Sequence, residues 1–278
     1  HGARFNMPEV LALAERLHAP VLTTFKAKGQ ISDLHPLGCG VLGRSGTPVA
    51  SWFMNESDLL LVFGASFSNH TGITSKKPIV QVDFDAMALG KFHPVTVPVW
   101  GEIGVTATAL AGGLDTFGHP ATVDQRPEIA ERWAIWRAEK LSRASDDRGH
   151  GVSSAAIFAA LTRQVPDDAI LAVDVGNNAY SFGRYFECQR QAVLMSGYLG
   201  SIGFSFPAAM GAWAATVRKV SDLGRHSVVE AVLGDRRVNA IIDGPVPEPG
   251  AAIHLNFRPD QTRLYRDGWI ASEQGRAA

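Results

Sequence analysis

Three glycine-bearing segments carry the residue types that receive phosphate groups: Gly40-Val-Leu-Gly-Arg-Ser-Gly46, Gly64-Ala-Ser-Phe-Ser-Asn-His70 and Asp174-Val-Gly-Asn-Asn178. Glycine lets a backbone N–H approach an anion closely, and a helix that begins just after it adds favourable partial charge. The first segment fits GxGxxG only loosely, and a tight turn at the end of a parallel strand accounts for any one of the three equally well. Asp83-Phe-Asp85 closes an apolar run at a place where a carboxylate accepts hydrogen bonds from a ribose; a turn or a helix cap is the alternative reading. The sequence has no P-loop signature, no HExxH, no GxSxG and no CxxC pair. Of its nine histidines, His35, His93 and His119 each precede a proline, which places them in extended loops rather than in a metal cluster.

Such loops need strands to hold them along one edge of a sheet and helices to follow them. The 278 residues, 46% of them hydrophobic and 19% charged, suffice for about two domains. Lys and Arg number 26 against 27 Asp and Glu, a formal net charge of -1, which excludes a basic nucleic-acid footprint and an acidic disordered tail. No apolar run reaches the roughly 18 residues of a membrane span. His1-Gly2-Ala3-Arg4 has no signal-peptide pattern, and Cys39 and Cys188 form no disulfide framework, so a reduced cytoplasm is expected.

Asn6, Pro8 and Glu9 read as a helix start, with Val10, Leu11, Ala14 and Leu17 on one apolar face. Apolar runs at 20–25, 58–63, 78–83 and 95–99 read as strands, followed by an Ala-rich helix around 105–114. Residues 114–150 read as a linker with one helix at 128–142, whose Trp133 and Trp136 serve packing. A second unit opens on the Ser153-Ser154 cap before a helix at 155–164, with strands at 169–174 and 192–195. The segment 204–215, apolar on nearly all sides, reads as a buried helix. The expected fold is α/β, with two Rossmann-like units and mainly parallel sheets.

Residues 1–113 resemble the central domain of thiamine-diphosphate enzymes of the acetolactate synthase and pyruvate oxidase group. The likeness rests on APVLTTFKAKG (19–29), HPLGCGVLGRSGT (35–47), SDLLLVFGASFSNHTG (57–72) and VDFDAMALGKFHPV (82–95). Residues 151–216 are similar to the start of the same family's pyrophosphate-binding domain, through VDVGNNAYSFGRYF (173–186) and SGYLGSIGFSFPAAMGAWA (196–214). The resemblance implies that Gly176, Asn177 and Asn178 approach thiamine diphosphate and that Gly200, Ser201 and Gly203 face its diphosphate or pyrimidine. Ile202 falls where the family sets an apolar wedge beneath the cofactor. It also implies a possible FAD site at Gly43, Arg44, Gly46, Gly64, Ser66, Asp83 and Asp85. Against a flavin, Phe67-Ser-Asn-His70 stands where flavin-containing members have an FDDR-like run.

The implied chemistry is decarboxylation of pyruvate or another 2-oxo acid followed by acyl transfer, in a homo-oligomer or paired with a full-length subunit, without nucleic acid or membrane. Two expectations limit it. The family's pyrimidine-binding domain, with its activating glutamate, is not among these residues, which begin at the glycine turn after the central domain's first strand. The Mg²⁺-binding GDG motif has no counterpart in 217–278, an atypical tail where Gly234-Asp235-Arg236 puts a cation in place of the second glycine. No metal ligands are therefore assigned, and thiamine diphosphate binding is expected to be weak and turnover absent. Val220–Leu223 and Asn239–Asp243 resemble the last helix and strand of the pyrophosphate domain. His254–Asp260 is similar to the NFRxDR run of cofactor-independent phosphoglycerate mutase, although Gln261 replaces its final arginine and a strand ending in a polar loop is the simpler reading. A non-catalytic nucleotide-binding or subunit-interaction module, or a gene-model fragment, is the rival expectation.

Overall fold

A computed structural model describes residues 2–117, 123–146, 149–197, 200–212, 214–222, 227–233, 236–242, 245–254, 265–266 and 269–270. The chain divides after residue 205 into two units.

The first unit begins with α1 (Met7–Leu17), which has Pro8 in its first turn and ends on His18 in the left-handed conformation. It leads to β1 (Val21–Thr23), which pairs in parallel with β2 (Gly38–Val41). Helix α2 (Pro48–Glu56) is capped by Thr47, whose Oγ1 accepts from Ala50 N at 3.0 Å. β3 (Leu60–Phe63), β4 (Ile79–Asp83) and β5 (Val97–Trp100) form a parallel sheet in that order, with Leu60 opposite Ile79 and Val80 opposite Val97. The expected parallel pairing therefore holds in both sheets, and loops with short 3-10 turns, rather than α-helices, connect the paired strands.

Helix α3 (Ile103–Phe117) follows, then α4 (Arg126–Ala144). α4 is no mere linker. Its Ile129, Trp133 and Trp136 are buried in the main core with Leu37, Val49, Phe53, Val62 and Ile79. Trp133 Nε1 donates to Gly38 O at 2.8 Å, so the indole satisfies its polar atom while burying its rings. Helix α5 (Ser154–Gln164) carries the expected cap, Ser153 Oγ accepting from Ala156 N at 3.1 Å. β6 (Ile170–Val173), α6 (Asn177–Tyr185) and β7 (Ala192–Met195) make a strand–helix–strand unit, with β6 and β7 parallel and Ile170 opposite Ala192.

Helix α7 (Ser205–Gly211) is shorter than the sequence suggests, and Ala214 already belongs to β8 (Ala214–Asp222). Thr216, Val217 and Val220 are β-branched, and β9 (Ser227–Leu233) offers them partners, with Thr216 opposite Val232 and Val220 opposite Val229. The expected burial of this segment also fails, since Phe206 is 75% exposed. β10 (Arg236–Ile242) and β11 (Ala252–His254) complete an antiparallel sheet in the order β10-β9-β8-β11. Val220–Asp222 is thus strand where the resemblance suggested helix, while Asn239–Ile242 is strand as it suggested. A short antiparallel pair, β12 (Tyr265–Arg266) and β13 (Trp269–Ile270), ends the described chain. Gly234, Asp235 and residues 255–264, with most of the mutase-like run, lie outside the described residues. No helix among the described residues is long and apolar enough to cross a membrane.

Candidate cofactor site

The carboxyl end of β6 gathers the site residues expected in the segment 151–216. Directly after the strand, Asp174 turns back on its own loop. Its Oδ1 accepts from Val175 N at 2.7 Å and from Gly203 N at 2.9 Å, and its Oδ2 accepts from Ser205 Oγ at 2.9 Å. One carboxylate therefore joins the 174–178 loop to the 200–205 loop. These donors, first the Val175 N–H and then the Ser205 and Gly203 groups, outweigh desolvation and hold the Asp174 carboxyl below the usual aspartate range.

Gly176 is the N-cap of α6, at φ 127 and ψ -166, a region that side-chain-bearing residues avoid. The first-turn N–H groups of Asn177 and Asn178 have no acceptor within the helix, and both side chains are exposed. Among them the structure gives Asn178 Nδ2 a long bond to Asp174 O, 3.4 Å. A helix start of this kind, with glycine at its entry and open amides, suits the diphosphate of thiamine diphosphate. In the facing loop, Gly200 and Gly203 have φ of 65 and 89, and Ser201 N donates to Ser196 Oγ at 3.1 Å. Ile202 stands between them, 84% exposed. Tyr198 and Leu199 lie outside the described residues.

The other expected set, at the ends of β2, β3 and β4, is committed to internal bonds. Gly43 has φ 98, and a Cβ there would come within 2.1 Å of His70 O. Arg44 N donates to His70 O at 3.1 Å, Gly46 N to Gly43 O at 2.9 Å and Gly64 N to Val82 O at 3.0 Å. Asp83 Oδ1 accepts from Asp85 N at 3.0 Å, and Asp85 Oδ1 accepts from Met87 N at 2.9 Å. Ser66 is exposed, and its carbonyl accepts from Thr71 Oγ1 at 3.3 Å. The amides of Arg44, Gly46 and Gly64 are thus spent within the protein, and the two carboxylates act as local caps.

Instead the 43–46 loop supports α6. Arg184 donates through Nε to Gly46 O and through Nη2 to Arg44 O, both at 3.1 Å. Gly183 permits the approach, because a Cβ there would come within 2.4 Å of Ser45 O. A buried ion pair secures the chain beyond the helix: Lys28 Nζ lies 3.1 Å from Asp33 Oδ2, which also accepts from Cys188 N at 2.8 Å. Burial favours a neutral Glu187, but Arg137 and Lys140 of α4 overcome it and hold that carboxyl below its usual range. Among the described residues no group of three or more His, Cys, Asp or Glu side chains is placed to hold a metal ion. Sequence reasoning placed Asp174 at the head of its loop but gave it no partner, and it passed over Arg184. The neighbouring glycines marked the loop, but their partners are remote in sequence.

Comparison with known proteins gives the family. Residues 2–110 match the model of the thiamine pyrophosphate enzyme central domain, and residues 174–242 match that of the thiamine pyrophosphate enzyme C-terminal TPP binding domain. The chain belongs to the family of thiamine pyrophosphate-dependent enzymes. The second match extends past residue 216 to include β8, β9 and β10.

Among the relatives is a probable acetolactate synthase large subunit of Methanococcus aeolicus, 32% identical over 220 residues, which are 73% of this chain and 37% of the relative. The putative thiamine pyrophosphate-containing protein YdaP of Bacillus subtilis is 28% identical over 84% of this chain and 39% of its own length. A sulfoacetaldehyde acetyltransferase of Rhodobacter capsulatus is 29% identical over 74% of this chain and 39% of its own length. The chain thus spans less than two fifths of the length of these relatives.

Proposed function

We propose that the carboxyl end of β6 is a thiamine diphosphate site, and that the chain is part of an enzyme of acetolactate synthase type acting on a 2-oxo acid. The observation that carries this reading is the Asp174 carboxylate, which draws Gly203 and Ser205 to the start of α6. When bound, the cofactor supplies the electron sink for decarboxylation. The chain's own residues bind and orient. Asn177 and Asn178 offer amides to the diphosphate, Gly176 permits its close approach, and Gly200, Ser201 and Gly203 form the opposite lip. Exposed Ile202 presents an apolar side chain to the ring system.

In the 278-residue polypeptide by itself, binding is weak and nearly independent of Mg²⁺, and turnover is absent. Supporting this, Arg236 follows Gly234-Asp235 in the sequence, where the resemblance calls for a second glycine. Calorimetric titration with thiamine diphosphate, with and without Mg²⁺, tests the reading. Micromolar binding that sharpens with the metal would refute the weak-site form of it, and no binding at millimolar cofactor would refute the site itself. A second reading, a subunit-interaction module without chemistry, is favoured by exposed Val152, Ile157, Leu161 and Tyr180 on α5, its approach and α6.

A further inference from the structure

Helix α6 is nine residues long and has no side-chain cap at its start, so it does not hold its place by itself. Its buried face carries Ala179, Phe182 and Gly183, and Phe182 joins an apolar cluster with Phe158, Leu171 and Val193. Apolar packing is non-directional. It holds a helix against its neighbours but fixes poorly where the helix stands along its own axis. Directional bonds must supply that.

They come from the turn at 43–46. Arg44 N and Gly46 N are spent on His70 O and Gly43 O, and Thr47 N fastens the turn to Val41 O of β2 at 2.9 Å. Two carbonyls of the turn face α6, and the Arg184 guanidinium takes both, Nε on Gly46 O and Nη2 on Arg44 O. A planar fork on two acceptors sets direction as well as distance. Gly183 completes the fit, because a Cβ there would come within 2.4 Å of Ser45 O and 2.9 Å of the Phe25 ring. Arg184 stands about two turns, roughly 10 Å, beyond Asn177. It therefore acts on the helix start only through the helix.

We propose that Arg184 is a positioning residue for the cofactor site: its grip on the Arg44 and Gly46 carbonyls fixes α6 along its axis, and with it the place where the Asn177 and Asn178 amides meet the diphosphate. This deepens the thiamine diphosphate reading and rests on it for the ligand. The seat is in place before any ligand arrives, since the 43–46 turn is bonded to His70 and Val41 on the protein's own side.

The test titrates the parent chain, Arg184→Gln and Arg184→Lys with thiamine diphosphate and with inorganic pyrophosphate. As controls, Arg163→Gln removes the same charge from α5, and Ile129→Val trims the main core. A ligand-free readout is the distance between nitroxide labels on Tyr180→Cys and Ile202→Cys, both positions being exposed and the native cysteines buried. Arg184→Gln should weaken both ligands at least fivefold and shift or broaden the label distance, with Arg184→Lys between it and the parent. Both controls should bind within twofold of the parent and keep its label distance. Unchanged affinity or an unchanged distance in Arg184→Gln would overturn the proposal. A parent chain that ignores both ligands refutes the cofactor reading, and the label distance alone then decides whether Arg184 positions α6. Should Arg184→Gln not fold, Arg184→Lys takes its place, and parent-like affinity or distance there overturns the proposal.

Discussion

Asp33→Ala should destabilise the protein far more than an ordinary surface change. Asp33 and Lys28 are both buried, with side-chain exposures of 6% and 2%. The carboxylate serves two donors, Lys28 Nζ at 3.1 Å and Cys188 N at 2.8 Å. Removing it strands an ammonium group in the interior and leaves a backbone N–H without its acceptor. Breaking a buried pair in this way costs about 3–5 kcal/mol. At about 2–4 °C per kcal/mol for a chain of this size class, the thermal midpoint should fall by roughly 6–20 °C. The double variant Lys28→Met, Asp33→Leu removes both charges and should recover much of the loss, because apolar replacement of a buried pair is often neutral. Urea unfolding followed by the fluorescence of Trp133 and Trp136, buried in the main core, gives both values. A loss below about 1 kcal/mol for Asp33→Ala, or a double variant no better than the single one, would refute the reasoning.

Gly176→Ala forces a side chain into φ 127, ψ -166, and should cost about 1–3 kcal/mol while weakening thiamine diphosphate binding, both measurable on one purified variant. The depressed carboxyl of Asp174 contributes stability that is present above the unfolded-state value of about 3.9 and lost as pH falls through its lower folded value. The Gly203 amide should therefore stay protected from exchange at pH 4 and lose protection only in stronger acid, whereas in Asp174→Ala it should be unprotected throughout. Burial pushes the Cys188 thiol up to about 12 and raises that of Cys39 as well, so neither should react with a disulfide reagent at pH 8 until the protein unfolds.

Much of the first unit is legible in its sequence. Ile79–Asp83 and Ala192–Met195 are short, mostly apolar runs, as strands of a parallel sheet require, and both fold as parallel strands. β2 is harder to see, because Gly38 and Gly40 dilute its apolar character and only tertiary burial makes it a strand. Trp133 and Trp136 announced packing, but the core that receives them lies about ninety residues back in the chain, at Gly38 and its neighbours. The site shows the same limit. Its glycines could be read because positive φ demands them, whereas two of the three partners of Asp174, Gly203 and Ser205, stand 29 and 31 residues away and follow no local pattern. At 43–46 the same glycine signal marked a tight turn whose amides bond within the protein, since glycine serves close approach of backbone as readily as of phosphate.

Hydrogen exchange with and without saturating thiamine diphosphate tests the central claim most directly. Protection should appear together in 174–178 and 200–205, because Asp174 couples the two loops, and the 43–46 and 64–66 segments should not change. Binding that protects 43–46 and 64–66 while leaving 174–178 untouched would contradict the assignment of the site.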